Sequence, residues 1–550
     1  MLKELKKLKE KHSRLLELLN KENLNENEII ESQFLLNDYP ERFNPNLGLV
    51  EANGVPSFKE QMKEHGKRLN ESFLEYMVFP TLLNSDVMKL PKKREADKDL
   101  CTYLLGLFET YKSLILDAEK MFNISFNIER EINTICDSII KSINQYFRGH
   151  PSFAYTNLVD GINKIESHFQ RFLSGDNKIP SQLYRMRKTD GINSIFKPGE
   201  MSHIPFDKRH LIATQRYSIP GLPCLYLGST PYICWEELER PLLENTQTAI
   251  ISAKNQKIKI LDFGLRPSDF NEVMLREFKK SKNIKYTQKE FNDLKNYLIC
   301  WPLLAASSIQ VNYKNGTFKP EYIIPQLVLQ WITSTHEYDG IRYFSVKEQC
   351  QQNSIHLIHN YVFPVKTHDV ISGHCPSLRR LFAISHGVPW QLYKLHPIPT
   401  QGEKWGSFSL MENLDPILYN QTEFGKFETY LLDNTYCETL IEYDCFLSSH
   451  VAEKAKTFFI NNKAQIEEAL EYVFNEFKNI KGPINTKPQN WSIEFLKDHI
   501  KIKYTVIGDT IVILEDDLTI LHYFTKYLMG KLNLVLPNGI GAFEYKRIIK

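Results

Sequence analysis

The chain has 550 residues, of which 42% are hydrophobic and 24% are charged. This composition is typical of a folded protein and excludes wholesale disorder. The length is sufficient for about two to four domains with a large core. The formal net charge of +2 gives no argument for binding to nucleic acid or to an anionic membrane surface.

The nine cysteines indicate the cellular compartment. Their number is odd and no two of them form a CxxC pair, which favours reduced thiols over a disulfide framework or a zinc ribbon. The N-terminus is charged and lacks the apolar centre of a signal peptide. The most apolar run, residues 298–311, contains Pro302 and is too short to span a membrane. We therefore expect a cytoplasmic protein without a membrane segment.

Residues 1–175 predict an all-helical N-terminal domain. Apolar residues recur with a 3.6-residue period around Leu104 and again around Ile132. A leucine stripe over residues 1–24 predicts a further amphipathic helix. This helix either packs on its own domain or forms a coiled-coil contact with a second copy of the chain.

The sequence pattern changes after this region. Residues 176–370 mix short apolar strands with turns and helices, which predicts a central α+β domain. Within this domain, a helix over residues 287–300 is expected to end just before Pro302. Residues 371–550 predict a C-terminal α+β extension, so the fold class of the whole chain is α+β.

One predicted corner between a strand and a helix carries the residues best suited to chemistry. Cys224 to Gly228 reads as a buried strand, apolar and bounded by turn residues. Ser229 is expected to cap the helix that follows, with Pro231 in its first turn. This places Glu236 and Glu237 close to the N-terminus of the helix.

These residue types suit an anionic nucleotide with a glycosidic bond. The guanidinium of Arg216 is a planar fork that matches a pyrophosphate. The ring of Tyr226 is a flat surface for a planar heterocycle. A glutamate on the helix is able to polarise the glycosidic bond. The same residues also fit a structural arginine–glutamate ion pair beside a buried tyrosine.

The segment resembles the RES domain family, which is named for its arginine, glutamate and serine. The similarity covers residues 180–366 and consists of short blocks. The matching residues are Leu183-Tyr184-Arg185, Arg216-Tyr217, Tyr226-Leu227-Gly228, Glu237 and Ser345, with Asn353 downstream. Glu237 is preferred over Glu236 because of its spacing from Tyr226.

The resemblance implies an ADP-ribosyltransferase-like fold that binds NAD as its substrate and breaks it. Small RES proteins are toxins that deplete NAD by hydrolysis or phosphorolysis, and some modify a target protein instead. They are normally held inactive by a helix-turn-helix antitoxin. The long extensions of this chain lie outside the resemblance. They suit a role in antiphage defence with an antitoxin, immunity or trigger protein as partner.

The resemblance also assigns roles to the matched residues. The catalytic residues are Glu237, Arg216 and Ser345, and the substrate-binding residues are Arg185, Tyr226, Tyr217 and Asn353. We expect the carboxylate to stabilise the positive charge that develops as the bond to nicotinamide breaks. The arginines are expected to hold the pyrophosphate, and the Tyr226 ring to stack on nicotinamide.

The sequence leaves the acceptor open, since water, inorganic phosphate or a macromolecule would each fit. Transfer of ADP-ribose to a macromolecule is the main enzymatic alternative, and a non-catalytic scaffold with a RES fold is the second. No metal is expected, because His356 and His359 have no third ligand at a familiar spacing. The chain also lacks the glycine-rich motifs of ATPases and of dinucleotide-binding Rossmann folds.

Overall fold

The fold is that of a computed structural model. It describes residues 2–21, 26–36, 70, 73–173, 179–189, 194–254, 258–281, 285–335, 337–347, 358–366, 372–395, 416–435, 438–447, 449–460, 463–481, 487–495, 499–507, 517–532 and 543–547. None of the helices within these ranges is long and apolar enough to cross a membrane.

The N-terminal part is helical. Its helices are α1 (Leu2–Asn20), α2 (Glu26–Leu36), a π-helix (Leu74–Val78) that continues into α3 (Phe79–Leu83), α4 (Leu100–Phe122), α5 (Glu129–Phe147) and α6 (Pro151–Leu173). The leucine stripe of α1 packs within its own chain, because Leu15 and Leu18 are buried against Phe73 and Phe278.

The described residues contribute twelve strands to one sheet. The strands are β1 (Gln182–Lys188), β2 (Cys224–Gly228), β3 (Thr246–Ala253), β4 (Ile260–Phe263), β5 (Gly340–Phe344), β6 (His359–Pro364), β7 (Phe382–Ile384), β8 (Val388–Pro389), β9 (Glu438–Leu447), β10 (Lys487–Phe495), β11 (His499–Ile507) and β12 (Phe543–Arg547).

Further helices lie between these strands. They are α7 (Pro231–Glu237), α8 (Pro267–Ser281), α9 (Gln288–Ser307), α10 (Ile323–Ser334), α11 (Pro376–Leu381), α12 (Trp390–Leu395), α13 (Pro416–Gln421), α14 (Glu423–Asn434), α15 (Ser449–Phe459), α16 (Lys463–Lys481) and α17 (Asp517–Lys531). Short 3₁₀ helices add Phe206–Leu211, Leu243–Asn245 and Pro320–Tyr322.

The sheet is mixed. The strand order is β10-β11-β9-β7-β3-β1-β2-β6-β5-β4, with β12 on β9 and β8 on β3. The pairing of β4 with β5 is parallel, whereas the central strands β3, β1, β2, β6 and β5 pair antiparallel in that order. Strands and helices therefore form an α+β fold with an N-terminal helical region, as the sequence predicts. The finer ADP-ribosyltransferase-like assignment stays a prediction.

The sheet continues across the C-terminal boundary that the sequence predicts at residue 370. Ile251 in β3 pairs with Ile384 in β7, and Thr248 pairs with Val388 in β8. Both partner strands lie after residue 370 and extend the sheet that contains β1 and β2.

The N-terminal helices and the central region share one hydrophobic core. Apolar side chains of α4, α5 and α6 pack in the same cluster as those of α9 and α10. The ring of Tyr111 stacks on Trp301 with 4.3 Å between the ring centroids, and the Trp301 indole donates to the Met88 carbonyl at 2.9 Å.

The prediction that α9 ends before Pro302 is wrong, since the helix runs through it to Ser307. A proline lacks the N–H that would donate to the carbonyl four residues earlier, which here belongs to Leu298. The Tyr111 hydroxyl donates to that carbonyl at 2.6 Å. Tertiary packing thus satisfies the acceptor that Pro302 leaves open, and the helix continues.

Candidate functional site

A cavity of about 1320 Å³ lies beside the central strands. Residues of β1, β2, β5 and β6 line it, together with α7, the segment 93–96 and the segment 310–315. Eight lysines and arginines line this cavity, against four glutamates. The excess of basic side chains makes the cavity suited to an anionic ligand.

The strand–helix corner forms one wall of the cavity. Gly228 ends β2, and a Cβ at this position would lie 2.5 Å from Ile233, so only glycine lets the helix fold back so closely. The cap of α7 is Thr230, whose side chain accepts from the Ile233 amide. The prediction of Ser229 as the cap is therefore wrong by one residue. The Ser229 hydroxyl instead accepts from the His359 amide at 3.2 Å.

The two glutamates lie at the C-terminal end of α7, not near its N-terminus as predicted. The helix has only seven residues. It ends because Glu239 and Arg240 take left-handed conformations, with φ of 64° and 53°. Non-glycine residues rarely adopt such angles, and they cluster near functional sites.

Glu237 lines the cavity and is held by two neutral donors. The Ser345 hydroxyl donates to its Oε1 at 2.7 Å, and the Asn360 side-chain amide donates to the same oxygen at 2.8 Å. No ion pair to Glu237 occurs among the described residues. The carboxylate is thus fixed in direction while its charge remains available to a ligand.

Glu236 has a different environment. Its side chain is 2% exposed and accepts bidentate hydrogen bonds from the Arg240 guanidinium, at 2.7 Å from Nη2 and 3.0 Å from Nε. The Lys347 ammonium donates to the backbone carbonyl of Glu236 at 2.5 Å. The Glu236 charge is therefore paired within the fold.

Arg185, on β1, lines the same cavity. Its Nη1 donates to the Tyr226 carbonyl at 3.3 Å, and its buried Nε has no hydrogen-bond partner among the described residues. Burial, and next the charge of Arg187, lower the pKa of the Arg185 guanidinium to about 10. The group therefore stays charged at neutral pH, and an anion in the cavity would complete its hydrogen bonding.

Arg216 is buried at the cavity wall. Its Nη1 donates to the Ser307 carbonyl at 3.0 Å, and its Nη2 donates to the Ile309 carbonyl at 2.8 Å. The guanidinium carbon lies 5.2 Å from the ring centre of Tyr322. These three contacts fix the plane of the guanidinium without neutralising its charge.

The two predicted tyrosines lie in different places. Tyr226 lines the cavity, and its hydroxyl donates to the Tyr217 carbonyl at 2.9 Å. Burial raises the pKa of Tyr226 well above its usual value. Tyr217 is buried in the core, with its ring 4.6 Å from that of Tyr343, and it does not line the cavity. It packs behind the wall, and its predicted role in substrate binding stays a prediction.

Ser345 is also buried behind the wall, and it acts on the cavity through its hydrogen bond to Glu237. Asn353 lies outside the described residues. The asparagine that the structure brings to the site is Asn360, on β6. The sequence contains a signal for it, because Asn360 also lies downstream of Ser345, in the largely apolar segment HNYVFP.

Further site residues carry no motif. Tyr322, Tyr343 and Lys347 line the cavity beside Glu237, and Arg94 reaches it from the N-terminal region. Among the described residues, no group of three or more histidine, cysteine or acidic side chains is placed to hold a metal ion.

Comparison with known proteins gives one relevant relative. The chain is 33% identical over 364 residues to a Bacillus subtilis (strain 168) protein named "Putative toxin YopC". The matched region covers 63% of this chain and 79% of that protein. No family model matches the chain, and no solved structure matches it.

Proposed function

The chain belongs to the family of the Bacillus subtilis protein YopC, and we propose that it is a toxin that cleaves NAD at the bond between nicotinamide and ribose. The name of the relative supports the toxin part of this proposal. The NAD part rests on the chemistry of the cavity and on the resemblance to the RES domain family.

One observation carries the proposed reaction. The Glu237 carboxylate faces a basic cavity, and its two hydrogen-bond donors, Ser345 and Asn360, are neutral. The neighbouring Glu236, in contrast, is paired with Arg240. The unpaired charge of Glu237 is therefore suited to a positive charge that the ligand develops.

NAD develops such a charge when it is cleaved. The bond between C1′ of the ribose and the nicotinamide nitrogen breaks, and its electron pair leaves with neutral nicotinamide. The ribose then acquires the positive charge of an oxocarbenium-like ion. A fixed carboxylate near C1′ stabilises this ion. Attack by water forms a C1′–O bond, and the products are ADP-ribose, nicotinamide and a proton.

The other cavity residues would bind and orient the dinucleotide. Arg185 and Arg216 are both charged and both line the cavity, so they would hold the two phosphates. The half-buried Tyr226 ring offers a flat surface in the same cavity as Glu237. Holding the dinucleotide at its pyrophosphate and at its nicotinamide would place the C1′ atom, which lies between them, against the carboxylate, and such orientation raises the rate.

Incubation of the purified full chain with NAD, followed by mass spectrometry, tests the proposal. Free ADP-ribose together with nicotinamide is the expected result. ADP-ribose 1″-phosphate would identify phosphate as the acceptor, and a mass gain on a macromolecule would identify transfer. NAD that stays intact in the presence of cell extract would contradict cleavage and favour a non-catalytic scaffold.

The toxin part is tested in cells. Induced expression should lower cellular NAD before growth stops, and a Glu237→Gln chain at equal abundance should do neither. We also propose that a separate antitoxin, immunity or trigger protein controls the activity, since loss of NAD would harm the producing cell. Growth arrest at constant NAD would contradict toxicity through NAD depletion.

A further inference from the structure

The segment that joins the N-terminal helices α3 and α4 reaches the cavity. The Lys92 carbonyl accepts from the Gln310 amide at 2.8 Å, which ties this segment to the chain that follows α9. Residues 93–96 then line the cavity. The helical region thus supplies part of the cavity wall.

A buried ion pair fixes this wall. Arg94 Nη2 lies 2.8 Å from Glu321 Oε1, and the two side chains are 6% and 1% exposed. Arg94 Nη1 also donates to the Lys98 carbonyl. A buried pair of this kind adds little net stability, because desolvation of both charges offsets their attraction. Because the pair contributes little to stability, its role is better explained as holding neighbouring residues in position.

The ion pair lies next to Tyr322. Glu321 and Tyr322 are consecutive residues of one short 3₁₀ helix, so the pair sets where the tyrosine ring lies. The ring lines the cavity, and the Arg216 guanidinium stacks on it at 5.2 Å. Burial raises the pKa of Tyr322, so its ring stays neutral beside Arg216.

We propose that Arg94 is a positioning residue for Arg216, and that it acts through Glu321 and Tyr322. The Arg216 guanidinium is held on one side by the carbonyls after α9 and on its face by the tyrosine ring. Together they aim its remaining N–H groups at a phosphate of the ligand. The inference rests on the proposed function for the identity of that ligand, a nucleoside pyrophosphate, and makes the N-terminal helical region part of the site.

The test measures binding of inorganic pyrophosphate to the full chain by calorimetry, which does not depend on NAD cleavage. The double variant Arg94→Met with Glu321→Gln removes both charges, keeps the side-chain volumes and leaves no orphan charge. We expect its dissociation constant to rise about tenfold, the effect of weakening one charge-assisted hydrogen bond. With NAD as substrate, KM should rise by a larger factor than the factor by which kcat falls.

Two single variants separate stacking from other effects. Tyr322→Leu removes the ring and should weaken pyrophosphate binding as the double variant does. Tyr322→Phe keeps the ring and should bind within about twofold of the parent, since stacking on the guanidinium does not need the hydroxyl. If the double variant does not fold, the comparison of Tyr322→Leu with Tyr322→Phe still tests the inference.

A matched control is available in the same helical region. Arg14 and Glu31 form another arginine–glutamate pair, with 2.9 Å between Arg14 Nη2 and Glu31 Oε2, and neither residue lines the cavity. The double variant Arg14→Met with Glu31→Gln should bind pyrophosphate like the parent.

Three results would overturn the inference. They are unchanged pyrophosphate binding in a folded Arg94→Met, Glu321→Gln chain, equal losses in the leucine and phenylalanine variants of Tyr322, and a parent chain that does not bind pyrophosphate. If binding depends on Arg94 while NAD stays intact, the proposed reaction is wrong and the positioning role stands.

Discussion

At the scale of single residues, Glu237 and Glu236 form a natural matched pair. Glu237→Gln keeps shape and hydrogen bonding but removes the charge, so turnover of NAD should fall by roughly 10²-fold. NAD affinity should change much less, because the arginines hold the phosphates. Steady-state kinetics on both variants, with melting temperatures measured in parallel, provides the test.

The control variant has a distinct expected behaviour. Glu236→Gln removes a buried charge that pairs with Arg240, so it should lower the melting temperature while the folded protein keeps near-parental turnover. An inactive Glu236→Gln chain together with an active Glu237→Gln chain would show that the assignment is wrong by one residue.

A second carboxylate makes stability depend on pH. Glu428 lies on α14, and its oxygens accept from the hydroxyls of Tyr184 at 3.0 Å and Tyr419 at 2.8 Å. Burial raises the pKa of Glu428 to about 7. The folded state therefore favours the protonated acid. This contribution is fully present below the unfolded pKa and is lost as pH rises through about 7.

Glu428→Gln should remove this dependence. A glutamine cannot ionise, so the variant should be more stable than the parent at about pH 8, with the difference shrinking as pH falls towards about 5. Melting temperatures across this range measure it. A variant that is less stable than the parent at the upper end would indicate that the charged carboxylate is well accommodated.

Some site residues are predicted from local spacing, whereas Arg185 and Ser345 are predicted only through the resemblance to a family. Arg216, Tyr226 and Glu237 lie within one short stretch, and the structure brings all three to the cavity. Arg94 lies in the middle of the N-terminal helical region and Tyr322 lies late in the central region, so the two are far apart in the sequence. Only tertiary contacts bring them together, and no local pattern encodes that.

At the scale of elements, sequence predicts the existence of a helix better than its boundaries. Ser229 and Thr230 are adjacent and both are good caps, so composition does not choose between them. The extended backbone of Thr230, with φ of −143°, decides the start of α7. At α9, Pro302 suggests an end that Tyr111 overrides from another helix.

The contact between Tyr111 and α9 gives a prediction about stability. Tyr111→Phe keeps the stack on Trp301 but leaves the buried Leu298 carbonyl, opposite Pro302, without its donor. The free energy of unfolding should fall by about 1–3 kcal/mol, the penalty for an unsatisfied buried acceptor. Chemical denaturation measures it. Tyr103→Phe, on the same helix with a less buried side chain, is the control and should change stability much less.

At the scale of the whole molecule, the shared core predicts that the central region does not fold alone. A fragment of residues 176–370 would expose the surfaces of α9 and α10 that α4, α5 and α6 cover. It would also lack β7, which pairs with β3. We expect no cooperative thermal transition from this fragment, whereas the full chain should show one.

A fragment that melts cooperatively and cleaves NAD as fast as the full chain would contradict this prediction. It would also show that the helical region neither supports nor restrains the central region.

Fold class is predictable from sequence because hydrophobic periodicity indicates helices and strands. Whether two regions share one hydrophobic core is not predictable in this way, since it depends on which apolar faces pack together.

The cavity draws its wall from residues as far apart in the sequence as Arg94 and Asn360, and this has a consequence for synthesis on the ribosome. Chains elongate at about 5–20 residues per second, so on the order of tens of seconds separate the emergence of these two residues. During that interval neither β6 nor the asparagine that holds Glu237 exists, and the nascent chain has no complete site. A chain that consumes NAD would thus be unable to do so before residue 360 has been translated.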